Sequence, residues 1–239
     1  MNRRTAVSAL ALALAASGIA FVALAQPPAA PPAAPPTKPT TTTTAPAIPG
    51  YTFGSPDLAR SPITLADLDA LERSLLLTDD DLAALRQSKA ILADQTDAIL
   101  DVWYGFVGST PELLAFFGNA TTGKPEGEYL ARVRARFARW ILDTADANFD
   151  QKWLDYQHEI ALRHHRTKKN RTDNAPSVPI VNYRYIPALT IPITTTLKPF
   201  LASKGATPEQ VEKMHAAWVK AVLLQAILWG QPYVRDGEF

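Results

Sequence analysis

The sequence DQKWLDYQHEIALRHHRTKKNRTDN, residues 150–174, contains three of the chain's four histidines. They are His158, His164 and His165. His164 shares one helical face with three apolar residues, Trp153, Ile160 and Ala161; Ala161 and Ile160 lie three and four positions before it, and Trp153 lies seven before Ile160. This spacing predicts an imidazole that emerges from an apolar stripe near the C-terminal end of a helix.

Two interpretations of this stripe are open on spacing alone. An imidazole on an apolar face can hold a metal ion, or it can be an ordinary core or rim histidine. Spacing also does not choose between neighbours, because His165 lies only about 100° around the helix from His164. Its own stripe contains Leu154, His158, Ala161 and Leu162. The pattern by itself leaves the choice between His164 and His165 open.

Three further stretches stand out beside residues 150–174. They are IPGYTFG at 48–54, DVWYGFVGS at 101–109 and MHAAWVKAVLLQAILWGQPYV at 214–234. Together the four stretches resemble the protoglobin family, whose members are single-domain haem proteins with an enlarged globin fold. The resemblance implies an all-α, globin-like helical sandwich with an additional N-terminal helix, in one haem domain over residues 50–239.

The resemblance also implies roles for two polar side chains. His164, the first of the HH pair, matches the family's proximal iron ligand, so the match makes the choice that spacing leaves open. Tyr104 matches a residue of the distal pocket. A buried tyrosine hydroxyl usually finds a partner, which in an ordinary core is a backbone carbonyl or a water. In a haem pocket that partner would be dioxygen.

Four apolar residues complete the implied pocket. Trp103 and Tyr104 match the two residues that form the wall of the distal pocket in the family. Phe137 matches the family's apolar residue above the iron. Ile193 agrees with the family, whereas Leu189 stands where one member of the family has phenylalanine, which predicts a roomier pocket. From periodicity alone, Phe137 would be an ordinary core residue on an amphipathic helix at residues 127–145.

Helix starts are marked by several capping sequences. Threonine precedes an acidic or amide residue three positions later at Thr64, Thr78 and Thr207, and Thr110 stands before a proline and a glutamate. The acidic run at residues 79–81 has two interpretations, a metal site or charges that complement a helix dipole. We favour the capping interpretation because it needs no ion.

Composition and resemblance disagree over residues 178–201. The segment is rich in β-branched and aromatic residues with prolines between them, which by itself favours strands. The resemblance implies a long helix instead, and we follow it. Pro192 is expected to kink that helix, and Pro187 departs from the family pattern near its start.

The first 49 residues differ from the rest in composition. Residues 1–25 combine two early arginines, an apolar run and an Ala23-Leu24-Ala25 site, which is the pattern of a secretory signal peptide. The apolar run is also about long enough for an uncleaved membrane anchor. Residues 26–49 hold nine of the chain's twenty prolines and indicate a Pro/Thr-rich disordered linker. We therefore expect export to the periplasm, or a membrane-anchored domain outside the cytoplasm.

The net charge and the absence of cysteine limit which ligands and cofactors the protein can bind. The formal net charge of +1 gives no electrostatic case for nucleic acid. The basic run at residues 163–171 is either an anion site or, as we favour, helix-end cations followed by a solvated loop. The chain has no cysteine, which excludes a thiolate iron ligand and covalent c-type attachment. A haem here would be non-covalent haem b.

The last helix, predicted over about residues 208–233, is apolar nearly all the way round. One face can line the core. A second apolar face, formed by Val219, Leu223, Ala226 and Ile227, then needs to be covered by another surface. A homodimer through the last two helices, as in the resembled family, would cover them. Cover by the N-terminal helix at residues 64–75 is the alternative.

The expected function is reversible binding of dioxygen, carbon monoxide or nitric oxide at the iron of a haem. A haem of this kind also gives access to nitric oxide dioxygenation, nitrite reduction and peroxide chemistry, so enzyme activity stays open. A gas sensor acting through a separate partner is one rival. A cofactor-free helical interaction protein is the other.

Overall fold

The structure, a computed structural model, describes residues 47–239. Within this range the chain forms α-helices joined by turns and short 3-10 segments, and no strand. The helices are α1 (Leu65–Ser74), α2 (Asp79–Leu92), α3 (Thr96–Gly108), α4 (Pro111–Leu114), α5 (Gly127–Asp146), α6 (Gln151–His164), α7 (Tyr185–Ala188), α8 (Thr190–Leu201) and α9 (Pro208–Leu228). The all-α prediction is confirmed. The predicted signal peptide or anchor, and all but the last three residues of the predicted linker, lie outside the described residues.

Capping residues begin three of these helices as the sequence predicts. Thr64, Thr78 and Thr207 each accept a hydrogen bond from the backbone N–H three residues later and close a full capping box. The acidic run at 79–81 therefore serves the start of α2. Thr110 is different, because its hydroxyl donates to the Phe106 carbonyl and leaves Pro111 to open α4.

Of residues 178–201, the helical parts are 185–188 and 190–201, and residues 178–184 are irregular. The strand interpretation from composition is therefore wrong, and the helix implied by the resemblance is right except for its first seven residues. The threonines bond within the helix: the Thr190 hydroxyl donates to the Pro187 carbonyl and Thr194 donates to the Thr190 carbonyl. The helix is interrupted at Leu189, three residues before Pro192, rather than continuous through a kink. Pro192 has no N–H to bond the carbonyl four residues earlier, which accounts for the break.

The core lies where the long helices cross. Helix α9 packs against α8 and α2, α5 packs against α2 and α3, and α6 packs against α9. Three buried tryptophans mark this centre: Trp103, Trp140 and Trp218. Among residues 47–239, no helix has both the length and the apolar content needed to cross a bilayer.

Helix α1 is the additional N-terminal helix. Its Leu68 packs with Leu224 and Leu228 of α9 in a second, smaller apolar cluster. This contact covers a different face of α9 from the one left over in the sequence. Of the four leftover residues, Ala226 is buried in the main core, and three remain half-buried: Val219, Leu223 and Ile227. Helix α1 therefore covers a neighbouring face of α9 and not the one for which cover was predicted.

Candidate functional site

One cavity lies among α3, α5, α6, the α7–α8 junction and α9. Its volume is about 230 Å³, and its walls are mainly aromatic and aliphatic. All six residues singled out in the sequence line it: Trp103, Tyr104, Phe137, His164, Leu189 and Ile193. Residues more than eighty positions apart in sequence thus meet around one space.

His164 is the last residue of α6 and lies inside the protein. The residue is partly accessible, and it lines the cavity. The ring Nδ1 lies 2.9 Å from the Ile160 carbonyl one turn earlier. A carbonyl can only accept, so Nδ1 carries the proton and Nε2 keeps its lone pair. This is the tautomer that a metal-ligating histidine needs.

Burial also sets the charge of this imidazole. Loss of solvent lowers the pKa of His164, and the nearby Lys169 and Arg163 lower it further, while the bond to Ile160 opposes them. The ring is therefore neutral at pH 7. His165 differs, because its Nδ1 lies 2.7 Å from the Thr167 hydroxyl and its ring meets the edge of Tyr233. His165 does not line the cavity.

Trp229 supports His164 from the side. The indole and imidazole rings are stacked, with centroids 5.1 Å apart and planes 16° from parallel. The indole N–H donates to the Gln157 side-chain oxygen at 2.8 Å. Nothing in the sequence signals this contact, since Gln157 has the pattern of an ordinary polar residue on a helix.

Tyr104 faces the same cavity from α3. Its hydroxyl is buried and has no hydrogen-bond partner. The backbone-carbonyl partner of an ordinary core tyrosine is absent for this residue. Burial raises the pKa of Tyr104, so its hydroxyl stays protonated and remains a donor. An unpaired donor beside a cavity is a costly arrangement unless a ligand completes it.

The wall next to Tyr104 is aromatic and closely packed. Trp103 meets Phe137 edge to face at 5.9 Å, and Phe137 meets Trp140 at 5.3 Å. Trp140 is held in turn, because its indole N–H donates to the buried Gln225 at 2.6 Å. Leu189 supplies a smaller aliphatic wall at the break between α7 and α8.

Four cations line another part of the cavity: Arg136, Arg163, Lys168 and Lys169. Three of them have carboxylate partners. Arg136 pairs with Asp173 at 2.5 Å, and both Arg163 and Lys168 pair with the buried Glu159. These pairs neutralise much of the charge and fix the loop that follows α6.

Lys169 has no carboxylate within ion-pair distance among residues 47–239. Its ammonium donates to the Asn170 side chain at 2.7 Å, the Tyr129 hydroxyl at 2.9 Å and the Phe116 carbonyl at 3.3 Å. Burial lowers the pKa of Lys169 to about 8. For Lys169 the solvated-loop interpretation of the basic run is wrong, whereas Arg166 and Arg171 are exposed as expected.

The segment 48–54 lies against this cationic part. The Pro49 carbonyl accepts from Arg136 at 2.8 Å, and the Gly50 carbonyl accepts from Arg163 at 2.7 Å. Gly50 has φ +73°, and a Cβ there would lie 2.6 Å from the Thr172 methyl carbon. A close approach and a left-handed backbone therefore both require glycine.

The residues present fit a haem. A buried, neutral imidazole with one free nitrogen suits an iron ligand, and an aromatic cavity suits a flat macrocycle. Cations at one edge suit the acidic side chains that such a macrocycle carries. The orphaned Tyr104 hydroxyl suits a polar ligand held in the cavity.

Comparison with known proteins agrees with this reading. A family model described as Protoglobin matches residues 64–239. A comparison with curated proteins finds no match. Among solved structures, the chain is similar to the globin domain of a globin-coupled sensor from Geobacter sulfurreducens, with a TM-score of 0.53 at 13% identity. That similarity covers 70% of this chain and 97% of the other, and it shows a shared globin fold.

Proposed function

The chain belongs to the protoglobin family, and we propose that it is a haem b protein that reversibly binds dioxygen, carbon monoxide or nitric oxide. Membership of a globin family implies the haem. The observation that carries the proposal is that one apolar cavity brings together a buried histidine with a free ring nitrogen and a buried, unpaired tyrosine hydroxyl.

In this proposal His164 is the iron ligand. The bond between Nδ1 and the Ile160 carbonyl leaves the Nε2 lone pair available, and burial keeps the ring neutral. When bound, the haem supplies the iron at which a diatomic gas coordinates, which no side chain offers. His165 takes no part, because its ring is tied to the Thr167 hydroxyl outside the cavity.

The cationic part of the cavity would hold the acidic edge of the cofactor. Lys169 is the strongest candidate, because its charge is buried and has no carboxylate partner among the described residues. Arg136 and Arg163 are already paired, so their contribution is to the local potential rather than a new ion pair. The absence of cysteine from the sequence makes the attachment non-covalent.

Tyr104 would recognise the gas. Its hydroxyl donates to a polar ligand and gains little from a nonpolar one, so the residue favours dioxygen over carbon monoxide. Trp103, Phe137 and Ile193 keep this part of the cavity apolar, which strengthens a hydrogen bond made there. Leu189, in place of a larger aromatic ring, would leave more room beside the ligand.

An absorption spectrum of the purified protein tests the proposal. A haem protein gives an intense Soret band, and this band shifts when the reduced protein takes up carbon monoxide. A cofactor-free interaction protein gives neither signal, even after haem is added and the excess is removed. Absence of both signals would rule out the proposed function.

We further propose a homodimer through the last two helices. Val219, Leu223 and Ile227 follow one another at four-residue spacing on α9 and stay half-buried, and Ile191 on the adjacent α8 is 65% exposed. A second copy would cover this apolar stripe. Sedimentation of Leu223→Glu should give monomers, and the exposed Val102→Glu on α3 is the matched control. Dimers from both variants would argue against this interface.

We also propose that the mature chain begins at Gln26 and lies outside the cytoplasm. The support is the order of basic start, apolar run and small-residue site in residues 1–25. Mass spectrometry of the N-terminus tests it. Intact residues 1–25 on membrane-bound protein would favour an anchor, and the same residues on cytoplasmic protein would rule out export.

A further inference from the structure

We infer that Trp229 and Gln157 are positioning residues that fix the ring plane of His164. The inference rests on the proposed function, since it concerns how the proposed iron ligand is oriented. Neither residue would touch the iron or the gas. Both would act through the imidazole, by limiting the angles at which its free nitrogen points into the cavity.

A single hydrogen bond does not fix an imidazole plane. The torsion between Cβ and the ring of a histidine is broad, and the bond from Nδ1 to the Ile160 carbonyl tolerates a range of ring angles. The lone pair on Nε2 turns with the ring. A second contact is therefore needed to select one plane, and the parallel stack on Trp229 supplies it.

The stack is itself fixed from the same helix. The Trp229 indole N–H donates to Gln157, which is 1% exposed and lies on α6 two turns before His164. Residues seven apart share a helical face. Trp229 therefore contacts α6 at two places: its indole N–H bonds Gln157, and its ring stacks on His164.

Trp229 is also held on its other sides. Its backbone N–H caps the end of α9 on the Gln225 carbonyl, and Trp140 packs against its ring at 6.1 Å. Gly230 follows, where a Cβ would lie 3.0 Å from the Ile227 carbonyl oxygen and from the Tyr183 ring. The indole has little freedom to move, so its plane can set the plane of the imidazole.

The matched test compares Trp218, which lies within α9, with Trp229, which follows the last residue of α9. Trp218 is fully buried, its indole N–H donates to the Ser88 hydroxyl, and it does not line the cavity. Trp229→Phe and Trp218→Phe therefore each remove one indole hydrogen bond. Gln157→Met removes the acceptor and leaves the indole in place.

The readout is the iron–histidine vibration of the reduced, gas-free protein, measured by resonance Raman spectroscopy. Trp229→Phe and Gln157→Met should shift and broaden this band, and haem loss to excess apomyoglobin should become about 5-fold faster, as loss of one hydrogen bond predicts. Trp218→Phe should lower the melting temperature and leave the band unchanged. An unchanged band in all three variants would overturn the inference and leave Trp229 a packing residue.

A second measurement separates this inference from the proposed function. In cofactor-free protein, NMR of the His164 ring should show one dominant tautomer, with ring protons shifted by the Trp229 ring current. Gln157→Met keeps the indole, so it should change that shift as the imidazole plane becomes free to turn, while the Ile160 carbonyl still selects the same tautomer. If the protein takes up no haem, the proposed function fails while this measurement still decides the inference. If it takes up haem and the variant's ring signals match the parent's, the inference alone fails.

Discussion

The two sides of the cavity differ in how their polar atoms are satisfied. On the side of His164, the imidazole Nδ1 has a carbonyl partner, and the indole N–H of Trp229 has an amide partner. On the side of Tyr104, the hydroxyl is buried without any partner. On the first side the donors are satisfied and only the Nε2 lone pair is free, whereas on the second side the donor itself has no partner until a ligand binds.

This difference separates two tasks. Satisfied, rigid groups cost nothing to organise when a cofactor arrives, so the His164 side is suited to holding. An unpaired donor gains most from the ligand that accepts its proton, so the Tyr104 side is suited to discriminating. Substitutions on the first side should change how firmly haem is held, and those on the second should change which gas is kept.

The largest effect is expected from His164→Ala. Loss of the proposed ligand should lower haem affinity by at least roughly 100-fold, the upper end of what a lost supporting contact costs at a metal site. The measurement is a haem titration followed by the spectrum of the reduced protein, which should lose its five-coordinate form. His165→Ala is the control and should keep both properties.

The reverse result would contradict the assignment of His164 as the iron ligand. If His165→Ala lost the haem and His164→Ala kept it, the register of α6 would be wrong by one residue. The roles inferred for Trp229 and Gln157 would then also be wrong, because they depend on His164 being the iron ligand.

Tyr104→Phe should change the rate at which dioxygen dissociates and leave haem binding unchanged. Dioxygen gains partial negative charge on binding a ferrous haem, whereas carbon monoxide stays nearly neutral. Loss of a hydrogen bond of about 1–3 kcal/mol should speed dioxygen release by about 5- to 150-fold, with carbon monoxide release nearly unchanged. Stopped-flow dissociation rates for the two gases measure this. Equal dioxygen rates in the two proteins would remove Tyr104 from the site.

Lys169→Met should change how haem retention depends on pH. The pKa of Lys169 lies at about 8, against an ordinary value of 10.5, so its charge is present at pH 7 and is lost as pH rises through about 8. Haem affinity of the parent should therefore fall by about 3- to 10-fold between pH 7 and 9, because the empty site must regain the Lys169 proton to pair with an acidic group of the haem. The variant should bind haem more weakly at pH 7 and show no further fall.

Stability of the cofactor-free protein should respond to pH with the opposite sign. Between pH 8 and 10.5 the unfolded chain holds the Lys169 proton and the folded chain does not, so this residue's contribution to stability rises with pH. Denaturation of parent and Lys169→Met at several pH values across this window tests the sign. A gap between the two proteins that does not change with pH would contradict the lowered pKa.

The smallest effect concerns the segment beside the cationic part of the cavity. Gly50 and Gly54 both have left-handed backbones, with φ of +73° and +72°, but only Gly50 has atoms close to the position of a Cβ. Gly54→Ala should cost about 1 kcal/mol from the backbone alone. Gly50→Ala should cost about 2–3 kcal/mol, because Thr172 and Arg136 must also move. Thermal unfolding of both variants gives the difference, and equal losses would mean that the segment is not tightly seated.

Local rules predicted the helix starts well because the information is local. The boxes at Thr64, Thr78 and Thr207 each need only four residues. The same rules misjudged residues 185–201, because propensity ignores what the fold offers. In the structure Thr190 and Thr194 satisfy their hydroxyls on carbonyls of the preceding turn, and the segment packs on α9.

The site was predictable only in part. Periodicity placed His164 on an apolar face, and the resemblance selected it over His165, but no sequence rule places Trp229 against it. That contact joins residues 65 positions apart and depends on how α6 and α9 cross. Lys169 was missed for a related reason. A lysine in a basic run normally indicates solvent, and its burial depends on Tyr129 and Phe116 from other parts of the chain.

The break at Leu189 has a consequence for local unfolding. Helix α7 is a single turn, and Pro187 and Pro192 offer no amide hydrogen to protect it. We therefore expect the amides of residues 185–193 to exchange with deuterium faster than those of α5 or α9, through openings that cost far less than global unfolding. Since Leu189 and Ile193 line the cavity, each such opening would expose it briefly while α6 stays closed. The escape rate of a gas would then be set by the stability of one short turn, independently of how firmly the cofactor is held.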